Sequence, residues 1–187
     1  AINGTFIVGD DADNDESTFT LTGDGAITLG REGEDDITFT VAGDTTIDGG
    51  ASVAIEGDVT IGGALNLESA ANTMLTGTFA IEGTSDLDVD GNLVITGDYT
   101  GVDSVTLTVS GNTALDGTLD VTNDLMIDSK GAITLAESVK VTGNTTINGG
   151  STIDVDGLLD VGGNLVLDSV GKTTLTGTVN ITGISDL

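Results

Sequence analysis

An alternation of apolar and polar residues that keeps its parity through a 20-residue period constrains this chain more than any other feature. Glycine or another turn residue recurs at 51, 57, 63, 71, 77, 83, 91 and 97, then at 111, 117, 123 and 131, and on to 183. The spacings read 6, 6 and 8, which sum to 20. A longer period contains the short one: residues 43–87 match 143–187 without a gap, with 22 of 45 positions identical, and 100 residues make five coils. Between turns, odd-numbered positions are apolar and even-numbered ones are mostly Thr, Asp, Asn or Glu. From residue 37 onward, 19 of 21 acidic residues are even-numbered, the exceptions being Asp103 and Glu137 at corners. Alternation at period two is the mark of a strand with one face in and one face out, and a helix cannot maintain it.

The reading is an all-β, single-chain parallel β-solenoid of triangular cross-section, with about nine coils in one domain spanning 1–187. Coils begin near residues 11, 31, 51, 71, 91, 111, 131, 151 and 171. Stacking them at 20-residue spacing gives expected core columns. One runs Ile7, Ile27, Ile47, Leu67, Leu87; a second runs Phe19, Phe39, Val59, Phe79, Tyr99; a third runs Leu21, Val41, Ile61, Ile81, Gly101, Val121; a fourth starts at Ile55. An intertwined trimer is the structural rival. It would set six-residue sides on eight-residue ones, whereas a single chain sets six on six and eight on eight, so the unequal triplet favours the single chain.

Two stretches break the alternation. DADNDE (Asp11 to Glu16) and REGEDD (Arg31 to Asp36) would turn carboxylates inward, at a cost of several kcal/mol each if unpaired. They are expected to leave the coil as neighbouring acidic loops. GAITL at 25–29 and 131–135 aligns with six extra residues around REGEDD before the next shared segment, in keeping with an insertion. The loops bring together Asp11, Asp13, Asp15, Glu16, Glu32, Glu34, Asp35 and Asp36 as candidate metal ligands. Hard cations such as Ca²⁺ take six to eight oxygens, and D-x-D-x-D resembles the start of a calcium loop, although the glycine and terminal glutamate of an EF-hand are missing. A solvated acidic loop is the plainer alternative. An outward ladder of Glu68, Asp88, Asp128 and Asp168, interrupted by Thr108 and Asn148, reads as a soluble face.

Composition narrows function. Four basic residues against 31 acidic ones leave a net charge of −27, which repels nucleic acid and anionic membranes. No apolar run is long enough to span a bilayer. With no His and no Cys, neither a Ser-His triad nor a thiol nucleophile can be assembled. Paired carboxylates could cleave glycosides, but the sequence offers no sugar-stacking aromatics beyond Phe6 on its outward face. An ice-binding array of Thr18/Thr20 over Thr38/Thr40 gives way to charge at Asp58 and Asp98. Ala1 follows no signal-type segment, the expectation for a mature product or fragment. With no capping helix in the pattern, open coil ends are expected, able to meet the rest of a longer solenoid or another copy head to tail.

The motifs TTIDGG (45–50), TTINGG (145–150), GNLVITG (91–97) and GNLVLDS (163–169) resemble the strand repeats of secreted bacterial β-helix adhesins, of the autotransporter and filamentous-haemagglutinin types. DVTIGGALNL (58–67) and GTLDVTNDL (117–125) are similar to repeats of marine phage tail fibres. The V-x-G-x-L texture resembles that of bactofilins. Composition points away from an enzyme, and the resemblance implies an extended scaffold or adhesive fibre outside the cell, at a cell surface or on a virion. It brings no binding residue with it.

Overall fold

A computed structural model describes the backbone of residues 5–8, 18–30 and 37–186, and side chains for the last two of these stretches. It is a parallel β-solenoid with no helix among the described residues, and so none long enough to cross a membrane. Three sides wind in turn. One side is built from Val53–Ile61 and its successors up to the corner glycine, and the next from the residues after that corner. The third is a separate nine-stranded sheet that includes Thr45–Gly49, Leu65–Ser69 and Leu165–Ser169. In the two coils where Val53–Ile61 and Thr73–Ile81 run unbroken across the corner, the first two sides fuse into one sheet. Nine layers at ~4.8 Å make a stack roughly 40 Å long.

From Ile37 onward the expected register holds. Val53 faces Thr73, Leu67 faces Leu87 and Leu125 faces Thr145, each 20 residues apart, so each side lies on its own kind. Inward odd positions are buried through the stack: Ile61, Leu87, Ile127 and Leu159 all have almost no exposed surface. Burying each such side chain contributes roughly 1.5–3 kcal/mol. The column Gly57, Gly77 and Gly97 turns the first corner with positive φ. There an added Cβ would fall on the carbonyl oxygen of the coil beneath, so glycine is required on two counts.

The other corners are held by side chains that copy a backbone bond. Asn72 Oδ1 accepts from the Asn92 N–H (2.9 Å), Asn92 from Asn112 and Asn112 from Ala132 (2.8 Å each). Asp44, Asp124, Asn144 and Asn164 do the same at the opposite corner. Each supplies an acceptor to the coil above where the strand ladder has lapsed.

The first coil departs from the expected columns. Phe19 faces Thr45, Leu21 faces Ile47, Ile27 faces Val53 and Leu29 faces Ile55, all 26 residues on. Leu21 and Val41 are therefore not register partners, nor are Ile27 and Ile47, and neither are Phe19 and Phe39, although those two rings still meet edge to face at 5.1 Å inside the coil. Because Ile37 already faces Gly57 at 20, the six extra residues fall between Leu29 and Ile37, where the GAITL alignment puts them. Thr5–Val8 shifts again: Phe6 faces Phe39, 33 residues on, and Ile7 faces Thr40 rather than continuing the column of Ile47. Seven more residues are thus taken up between Val8 and Phe19. Register restores like on like in space even though the numbering slips.

A smaller departure lies at Gly101. The strand Tyr99–Val102 bulges, with Tyr99 facing Leu119 and Val102 facing Val121, so the even-numbered Val102 fills the column slot expected of Gly101. Gly101 turns outward with φ +75, the conformation a glycine bulge needs.

Candidate functional site

The eight carboxylates expected to form a metal site (Asp11, Asp13, Asp15, Glu16, Glu32, Glu34, Asp35 and Asp36) lie outside the described residues. The strands that anchor them are described. The first acidic segment joins the exit of the second side to the entry of the third, and the second joins the exit of the first side to the entry of the second. Their anchors thus stand at different corners of one winding. Among the described residues no group of three or more His, Cys, Asp or Glu is arranged to hold a metal ion. The threonine array also separates: Thr20 faces Thr46, while Thr38 and Thr40 face Asp58 and Thr60.

The outward ladder on the third side is confirmed and lengthened. Asp48 faces Glu68, which faces Asp88, then Thr108, Asp128, Asn148 and Asp168 in unbroken register. Neighbours at ~4.8 Å repel by about 0.9 kcal/mol at the dielectric of water, less in salt. Two shallow grooves of about 180 and 210 Å³ lie beside it at the Gly49–Gly50 and Gly149–Gly150 notches, five coils apart. The first is rimmed by Asp48, Glu68, Asp88 and Asp90; the second mixes Asp128 and Asp168 with Lys130 and Val170. The pair repeats because the chain repeats at 100 residues, but its chemistry does not.

Inside the stack, the one tyrosine is fully buried. The Tyr99 ring stacks on Phe79 at 5.7 Å, and its hydroxyl shares a 2.8 Å hydrogen bond with Ser85. Burial raises the phenol pKa well above its usual value, and the Ser85 bond offsets a little of that. Ser85 stands where other coils carry Leu65, Val105 or Leu125, which makes room for the hydroxyl. Thr45, Thr73, Thr113 and Thr145 are buried with hydroxyls that have no partner.

The last described coil is where the core comes to the surface. Thr173–Leu175, Thr178–Ile181 and Ser185–Asp186 pair with the coil beneath on one edge only. Leu175 is 40% exposed, whereas Val155 beneath it is sealed; Val170 and Ile184 are also exposed, but at corner positions that stay open in other coils. Hydrogen bonding alternates with parity: Ile153 N–H donates forward to Lys172 O, while Thr176 N–H donates back to Val155 O. By that alternation, the N–H and C=O groups of Thr173, Leu175, Val179, Ile181 and Ser185 point to the next layer.

No family model matches this chain, and no curated protein or solved structure was found to resemble it. The geometry therefore stands alone. It defines a β-solenoid, a fold consistent with a structural repeat protein.

Proposed function

We propose that this chain is a non-enzymatic structural rod, a subunit or segment of an extracellular filament or fibre lengthened by coil stacking. One observation carries the reading: the core columns keep one register, side upon like side, from Ile37 to the last described coil, which is how an extended repeat rod is built. Such a stack lengthens by adding coils of the same register. The acidic, lysine-poor surface suits a saline exterior, where screening is strong.

Antibodies raised against the folded chain test the assignment on intact source cells or particles. The expected result is labelling along surface fibres without permeabilisation. Labelling confined to the cell interior overturns it.

A further inference from the structure

Surface charge is not spread evenly over the three sides. On the first side the outward residues Thr28, Ala54, Met74, Val94, Ala114 and Thr134 face one another in turn through six coils, and none is charged. The column beside it is uncharged from Ser52 to Ala132, and Asn72, Asn92 and Asn112 within it are already held by the corner bonds. Among the described residues neither other side keeps an outward column uncharged so far. Asp58 and Asp120 interrupt the second side, and Asp48 and Asp86 the third. In the middle of the neutral face Met74 is 53% exposed, with Val94 half-buried next to it. In size the central column reads alike from either end: threonine, alanine, two large apolar residues, alanine, threonine.

We propose that this face pairs side by side with the same face of a second copy, the two rods antiparallel about a two-fold axis between the Met74 and Val94 coils. Met74 of each copy then meets Val94 of the other, Ala54 meets Ala114 and Thr28 meets Thr134. The pairing rests on the structural-rod reading above. Charge selects the occupant. A cationic partner is drawn to the carboxylate ladder of the third side, whereas a second body of net charge −27 can come close only where carboxylates are missing. The size pattern makes the face self-complementary, with an apolar centre and threonines at its ends. Because the asparagines are fixed before docking, little side-chain freedom is lost there. Glu56 and Asp116 stand at the rim and come opposite each other across the axis, so the pairing strengthens with salt. Six strands at ~4.8 Å, each contributing about five residues at ~3.3 Å, make a face of roughly 480 Å². A standard interface takes about 800 Å² per partner. Single rods therefore pair weakly and reversibly, and fibres that carry many such faces gain by repetition.

Sedimentation equilibrium of the 187-residue chain, up to about 1 mM and in about 0.1 and 1 M salt, tests the proposal at screening lengths of ~10 and ~3 Å. The expected result is a reversible monomer–dimer equilibrium that tightens several-fold in the higher salt. Met74→Asp and Val94→Asp should each weaken it by about tenfold or more. Met126→Asp makes the same change at the exposed methionine of the third side and should leave it unmoved, with circular dichroism checking that each variant folds. The chain has no cysteine, so Met74→Cys and Val94→Cys report the arrangement cleanly. Treated with a short bis-maleimide, the two variants mixed should give several-fold more linked dimer than either alone. A monomer under every condition overturns the proposal and leaves the face to a different, neutral partner. Dimers that survive Met74→Asp overturn it as well, as does linkage strongest within Met74→Cys alone, which reports parallel rods. Surface-fibre labelling together with a strictly monomeric chain would remove this inference and leave the proposed function standing.

Discussion

The first winding and the stack above it solve the same packing problem with different chain lengths. From Ile37 to Leu167 each coil spends 20 residues and turns its first corner mostly on a glycine pressed against the carbonyl beneath. Between Val8 and Ile37 the chain takes up six and seven residues more, yet Ile27 still lies under Val53 and Phe19 under Thr45. Insertions enter at corners and leave the sides intact. The Tyr99–Val102 bulge shows the converse: a residue added within a side is turned out at Gly101 and taken back from the next corner, so that Val105 again faces Ser85. Sides set the register and corners absorb the slack.

The strongest test of that contrast adds one residue in the middle of a side, between Ile127 and Asp128. It should cost more than about 4 kcal/mol in urea unfolding, because no glycine is there to turn the extra residue out as Gly101 does, and the end of the strand slips to the wrong face before the next corner can take up the slack. Six residues added at the Glu137 corner, where the glycine column is already interrupted, should cost only about 1–2 kcal/mol in urea unfolding, a loop-closure effect. Next in size is Gly77→Val. Strained φ and a blocked approach to Gly57 together should cost about 4 kcal/mol, read from the same urea midpoint. If Gly77→Val were as mild as the corner insertion, corners would owe nothing to glycine.

Tyr99→Phe should cost about 1–2 kcal/mol by leaving the Ser85 hydroxyl buried and unpaired. It also carries a pH signature. The folded phenol pKa lies above the unfolded value of ~10, so the stability that the neutral ring contributes is full below pH ~10. Above that, the unfolded chain loses the proton first and stability falls as pH rises. Urea midpoints taken from pH 8 to 11 should show that alkaline decline in the parent and a weaker one in Tyr99→Phe. The smallest effect compares the two halves of the long repeat: Thr45→Val and Thr145→Val should each raise stability by about 1 kcal/mol, by removing a partnerless buried hydroxyl. Unequal gains would show that the repeat is equivalent in sequence but not in packing.

Much of the fold is legible in the residues because each column repeats one kind of side chain at one spacing. Ile127, Ile147 and Leu167 declare themselves as inward by parity alone. The first winding hides its register for a physical reason. Six inserted residues are an even number, so parity passes through REGEDD unchanged, and Phe19 and Phe39 look like natural neighbours at 20. Seven is odd, so Phe6 carries an even number and reads as outward, although its backbone lies in step with Phe39. Gly101 reads as a corner glycine because a bulge and a corner ask for the same residue. Asn72, Asn92 and Asn112 are visible as a ladder at 20, but their acceptor role emerges only once a backbone N–H lies 2.8–2.9 Å above each. Nor does spacing alone reveal that the two acidic segments leave from different corners.

The hydrogen bonds between coils run along the rod while the strands lie across it, and this decides how the molecule carries tension. A pull applied at the chain ends loads one coil's bonds at a time, so the rod should peel layer by layer instead of rupturing at once. Each coil released pays out about 65 Å of chain, from 20 residues at ~3.3 Å, for ~4.8 Å of rod lost. Stretched between optical traps, the chain should show a sawtooth of nearly equal steps. A fibre made this way is a reel of tether as well as a spacer.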